Sequence, residues 1–190
     1  MKLRWFAILI LLASTALVQA RPSEGAYAPT YIQLANDTMA VQPTLDQLLE
    51  LRAVLSGFEN VDDALAAGYA QFGSCMSHAQ GGQGVHFTSD ALIQDPSLDA
   101  NAPELLIYEP RTDGSLRLIG TEYLVFQQAW HDAGNAAAPA LLGREFTLNT
   151  TLLDEPFYAL HVWAWQYNPL GLFANWNPLV QCPAESMARR

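Results

Sequence analysis

The chain has 190 residues, with 19 acidic against 9 basic side chains and a formal net charge of −10. The only lysine is Lys2, so the rest of the chain has no Schiff-base or lysine-nucleophile chemistry, and the acidity argues against nucleic acid as a partner. The charge is spread rather than blocked, and its plain meaning is solubility.

In chain order, Lys2 and Arg4 form a positive start, residues 5–12 are continuously apolar, and Val18-Gln19-Ala20 fits a small-residue cleavage pattern. Residues 1–20 therefore read as a secretory signal cut after Ala20. The apolar run is shorter than the roughly 20 residues a membrane span needs. No cysteine follows it, so lipid attachment is not expected, and no membrane association is expected after cleavage. Residues 21–42 carry Pro22, Gly25 and Pro29 and read as an extended leader. Residues 43–190 are expected to form one globular domain. Seven basic residues against 19 acidic ones leave the mature chain at −12. The expected location is periplasmic or extracellular.

Two helices are predicted first. Thr44 and Gln47 make a capping box for a helix over residues 45–56, with Leu45, Leu48, Leu49 and Leu55 as its apolar stripe and Gly57 as its stop. A second helix follows Asn60, with Asp62 and Asp63 facing its positive end and Val61, Ala64, Leu65 and Tyr69 on its buried side. Short strands are expected over residues 85–89, 104–110, 116–126, 145–150 and 158–167. The second and third flank Asp113-Gly114, a strong hairpin signal. Helices followed by antiparallel strands define an α+β fold: two N-terminal helices on a curved, mostly antiparallel sheet or partial barrel. Gly81-Gly82-Gln83-Gly84 reads as a flexible turn, since it leads into a strand and a phosphate cradle needs a helix N-terminus. Asn168-Pro169-Leu170-Gly171 is a turn signature, and the stretch to Cys182 reads as an ordered loop in which Phe173 and Trp176 pack or line a pocket. Cys75 and Cys182 are the only cysteines. In an oxidising compartment they most simply pair, two buried thiols being the alternative. A loop of that length is worth about 4.7 kcal/mol in the chain-entropy treatment.

The chemistry rests on few residues. There is no Gly-x-Ser-x-Gly elbow, no His-Glu-x-x-His helix and no Walker loop. His86, in Val-His-Phe-Thr, faces away from Val85 and Phe87, and His161 shares a strand face with Trp163 and Trp165. Burial there favours the neutral imidazole, which is the metal-binding form. His78 lies in the glycine-rich loop; His131 reads as a surface-loop residue outside the site. A two-residue turn at Asp113-Gly114 places Leu105 opposite Glu122 and Glu109 opposite Leu118, whereas a one-residue slip pairs Glu109 with Arg117. Glu122 sits mid-strand with no adjacent base, and a carboxylate on an apolar face requires a partner, a proton or a metal.

The segments Gly-Gln-Gly-Val-His-Phe (83 being Gln), Leu-Leu-Ile-Tyr-Glu-Pro, Gly-Thr-Glu-Tyr and Asn-Pro-Leu-Gly-Leu-Phe-Ala-Asn-Trp-Asn-Pro resemble an uncharacterised family of exported bacterial proteins. Its members often carry methionine where Gln83 stands here. The resemblance implies a bacterial, exported setting and no mechanism.

Three readings follow. The first is an exported domain that binds a small ligand or one divalent transition metal (zinc, iron, manganese or copper) through His86, Glu122 and His161, with His78 joining from the loop. The second is a hydrolase- or lyase-like enzyme using Glu122 and His161 for acid–base work. The third is a non-catalytic envelope or interaction module with structural histidines.

Overall fold

The computed structural model describes residues 43–183; the expected signal segment and leader lie outside the described residues. Helix α1 (Leu45–Leu55) starts at Thr44, whose hydroxyl accepts from the Gln47 amide while the Gln47 side chain accepts from the Thr44 amide. Such a cap is worth about 1 kcal/mol. Leu55 is buried and Leu48 half-buried as expected, whereas Leu45 and Leu49 are exposed and Leu51 takes their place in the core. The α-helix ends at Leu55, next to the expected limit, and a 3₁₀ turn (Ser56–Glu59) that includes Gly57 carries the chain on to Asn60. Asn60 caps α2 (Val61–Ala66), which buries Ala64 and leaves Leu65 exposed.

Six strands follow in one sheet: β1 (Ala70–His78), β2 (Gly81–Thr88), β3 (Leu105–Pro110), β4 (Leu116–Phe126), β7 (Thr147–Asn149) and β8 (Phe157–Val162). The order is β1-β2-β3-β4-β8-β7, antiparallel throughout, and the sheet curls into a half-barrel. Short helices α3 (Asp90–Ile93) and α4 (Gln127–Asp132) and a two-stranded ribbon, β5 (Ala140–Leu141) with β6 (Arg144–Glu145), complete the described fold. The stretch expected as one strand over residues 145–150 is thus split between two sheets, and β8 ends at Val162, five residues before the expected limit. Among the described residues no helix is long and apolar enough to cross a membrane.

One face of the sheet is packed with helix. Leu51 and Leu55 share a core cluster with Tyr123, Val125, Leu160 and Val162, and Ala64 shares another with Phe87, Leu106, Tyr108 and Leu118. Each fully buried leucine there contributes about 1.5–3 kcal/mol. The other face is left to line a cavity.

The hairpin β3–β4 contains both registers that the sequence allowed. Leu105 pairs with Glu122 and Ile107 with Gly120, but Tyr108 pairs with Leu118 and Glu109 with Arg117. Ile119 is the extra residue of a bulge, and its carbonyl turns out to accept from the Trp165 and Gln166 amides. Glu109 is thereby held in an ion pair with Arg117 at 2.6 Å, away from Glu122.

The glycine-rich run is strand, not a flexible turn. Gly82 and Asn177 exchange backbone hydrogen bonds, and a Cβ on Gly82 would meet the Val180 carbonyl oxygen at 2.8 Å and its Cγ1 at 2.9 Å. The absent side chains admit a second backbone at close range. That backbone is the tail after β8. It turns at Gly171, whose amide donates to the Asn168 carbonyl, and is held by buried Asn177, which donates to the Tyr167 carbonyl and accepts from the Leu179 amide. The Cys75–Cys182 disulfide closes the arrangement across 107 residues.

Gly82→Ala is expected to lower stability by about 1–3 kcal/mol through overpacking against the tail. Gly57→Ala, where a Cβ would meet nothing within 4 Å, should stay within about 0.5 kcal/mol of wild type. Urea titration of the two variants is the check, and equal midpoints would remove the close-approach explanation.

Candidate metal centre

Three strands supply the site. Glu122 on β4 and His161 on β8 are direct cross-strand partners, and such partners carry Cβ atoms about 4.5–5.5 Å apart on one face. His86 on β2 is separated from Glu122 by β3, where its own partner is Ile107. Curling of the sheet carries the His86 ring over β3 to the same carboxylate. Alternation along β2 turns Val85 and Phe87 into the helix-side core and leaves His86 on the cavity face.

The carboxylate stands between the imidazoles. His86 Nε2 is 3.4 Å from Glu122 Oε2, and His161 Nδ1 is 3.5 Å from Oε1. The two rings meet edge to face with centroids 6.0 Å apart. Exposure is 3% for His86, 8% for Glu122 and 4% for His161. One ligating atom from each of the three lies within 4.8 Å of the others, which makes them a group able to hold a metal ion. Trp163 stacks on the His161 ring at 6.1 Å and fixes its plane, while Trp165 belongs to the opposite core.

Electrostatics follow from burial. Burial by itself would push the Glu122 carboxyl up, but His161 and His86 beside it outweigh that and hold the group below its ordinary value. Burial pushes His161 down, against the pull of Glu122 and aided by His86. A carboxyl held low and a His161 ring pushed down are the directions that favour coordination, which takes an ionised carboxylate and a neutral imidazole. The outward nitrogens, His86 Nδ1 and His161 Nε2, are buried without a hydrogen-bond partner among the described residues.

A cavity of about 100 Å³ adjoins the three residues, and all six strands of the main sheet contribute to it. Leu105, Leu124, Phe157 and Ala159 form apolar wall, while Phe72 and Leu152 line it and are largely exposed. Gln83, Thr147, Asn149 and Asn175 are its uncharged polar members. Gln83 reaches the cavity face three residues from His86 because Gly84, at φ +92°, breaks the alternation of β2.

The remaining histidines lie elsewhere. His78 ends β1, is exposed and stacks on Trp176 at 4.9 Å, so the structure does not bring it to Glu122. Phe173 packs beside the α1 core. His131 is on helix α4 rather than in a loop, half-buried, with Nδ1 on the Asn135 carbonyl and Nε2 3.3 Å from the Tyr158 hydroxyl.

A second buried carboxyl, Glu104, was not singled out by the sequence reading. It is 1% exposed and its Oε2 accepts from the Leu124 amide, beyond the last β3–β4 pair. Burial pushes it up to about 7, partly offset by that hydrogen bond, with Asp95 and Asp99 adding a little upward push. The available signal was the apolar run Leu105-Leu106-Ile107-Tyr108, which marks a strand buried on both faces. An acid at the head of such a strand is buried with it.

Comparisons with protein-family models, curated proteins and solved structures gave no match for this chain.

Because the folded Glu104 binds its proton more tightly than the unfolded chain, its contribution to stability is complete below about pH 4.5 and is lost as pH rises through about 7. The loss is on the order of 3 kcal/mol by pH 8. Glu104→Gln keeps the acceptor and should erase this dependence, so the stability difference between variant and wild type should grow from pH 4 to pH 8 in urea titrations. A constant difference would show that Glu104 is ionised in the folded protein.

Proposed function

We propose that this is an exported domain that holds one divalent transition ion through His86, Glu122 and His161 and presents it to the adjoining cavity. The donor spacing carries the reading. A charge-assisted N–H···O hydrogen bond closes to about 2.7–2.9 Å. Two donors bound to one tetrahedral ion at about 2.0–2.1 Å stand roughly 3.4 Å apart. The nitrogen–oxygen separations of 3.4 and 3.5 Å, made to the two different oxygens of one carboxylate, lie nearer the second case. Two imidazoles and a carboxylate are a donor set for zinc, iron, manganese or copper, and three protein donors leave a position for water or a small ligand. Such an ion would polarise a bound carbonyl or lower the pKa of a bound water.

The unpartnered outer nitrogens favour a second reading. If each imidazole keeps its proton on the nitrogen facing Glu122, the outer nitrogens are bare acceptors and no buried N–H is orphaned. The same three groups would then work as a metal-free acid–base set, with Glu122 orienting His161.

Elemental analysis of the protein purified from the periplasm decides between them. The metal reading expects one ion per chain, lost in His161→Ala and in His86→Ala. Saturating metal at about one hundred times Kd should raise stability by about 2.7 kcal/mol, and a chelator should reverse the gain. A protein that takes up no ion, and whose His161→Ala variant merely melts lower, returns the histidines to a structural role. Turnover of a screened substrate by metal-free protein, abolished by Glu122→Gln in a folded variant, would establish the acid–base set.

A further inference from the structure

We propose that the cavity beside His86, Glu122 and His161 is a binding site for a short-chain monocarboxylate, whose anionic head completes the ion's coordination and whose hydrocarbon lies against Leu105, Leu124 and Phe157. This rests on the metal reading above and adds the class of ligand to it.

Charge selects the head group. A divalent ion and one ionised glutamate leave a single uncompensated positive charge in a buried site. Among the described residues that line the cavity, Glu122 is the only acid, and there is no lysine or arginine. One monovalent anion therefore neutralises the site, whereas a cation or a dianion would leave net charge out of water. Carboxylate oxygen is also a ligand that zinc and iron accept.

The walls select the body. Leu105, Leu124 and Phe157 share one buried apolar cluster on the cavity face. The polar members of the lining are largely committed. The Gln83 amide donates to the Asn175 carbonyl, and the Asn149 side-chain oxygen accepts from the Thr151 and Leu152 amides. They shape the rim more than they offer contacts to a polar ligand. Phe72 and Leu152, exposed at the outer part, give an apolar approach.

Volume selects the length. A dry apolar cavity of about 150 Å³ accommodates the six carbons of benzene, so about 100 Å³ suits roughly four non-hydrogen atoms. The head and first carbons of a short acid fill that space, and the end of a butyrate chain lies toward the apolar opening at Phe72 and Leu152. Each methylene buried is worth close to a fourfold gain, so butyrate should bind about tenfold more tightly than acetate.

The test uses the full chain loaded with cobalt(II), whose visible spectrum reports its ligands. Butyrate is expected to change that spectrum saturably, about tenfold more tightly than acetate, while butylammonium leaves it unchanged. Ala159→Leu adds bulk to the half-buried wall facing the cavity without touching the three donors. It should weaken butyrate about tenfold, acetate less, and leave cobalt stoichiometry intact. Failure to bind cobalt would overturn the metal reading and this proposal with it. Cobalt bound normally, with no spectral response to butyrate, with equal affinity for acetate and butyrate, or with an equal response to butylammonium, would overturn the carboxylate site alone.

Discussion

A carboxylate removed from water has to be matched by protons or positive charge at short range, and Glu122 is matched by two imidazoles delivered from strands on either side of it. An isolated buried charge costs several kcal/mol even after relaxation. The fold meets that demand in three ways. β8 pairs directly with β4, so that His161 stands opposite Glu122. The sheet curls, so that His86 reaches over β3. Trp163 stacks on His161 and limits the ring's orientation. Losing any one of these leaves a buried acid short of a partner.

The bulge at Ile119 belongs to the same arrangement. Without it, the register that puts Leu105 opposite Glu122 would also put Glu109, on the same face of β3 as Leu105 and Ile107, opposite Leu118 with no base across the strand. One extra residue in β4 returns Glu109 to Arg117 and frees the Ile119 carbonyl for the chain leaving β8. The tail that continues from there lies on Gly82, and its Asn175 forms part of the cavity. Local irregularities in β2, β4 and the tail thus converge on the cavity, while the opposite face of the sheet is regular and packed with helix.

Much of this was legible in the sequence because it is local. The caps at Thr44 and Asn60 locate the helix starts, and the Asp113-Gly114 turn between two apolar runs locates β3 and β4. His86 was assigned to the cavity face by simple alternation with Val85 and Phe87. The convergence of His86 and His161 on Glu122 was an expectation of distance, and the geometry brings those three together without His78. What escaped was non-local. β1 carries Gly73 at φ +68° and a broken register with β2, so its hydrophobic pattern does not alternate. The glycines of β2 look like a turn until the tail that presses on them is known. The hairpin satisfied two registers at once, a solution available only through a bulge that neither turn chemistry nor periodicity signals. Glu104 was hidden by an apolar run that reads as ordinary core.

The order in which the three donors occur in the chain has a consequence for assembly. They are 36 and 39 residues apart in sequence, and all three become neighbours only when β2, β3, β4 and β8 are in place. No hairpin between consecutive strands contains two of them, since β2–β3 supplies His86 alone and β3–β4 supplies Glu122 alone, while the β4–β8 pair joins Glu122 to His161 and lacks His86. A partly formed sheet accordingly offers at most two of the three donors side by side, and the full set requires all four strands. Occupancy by an ion held by all three donors would therefore report a completed sheet.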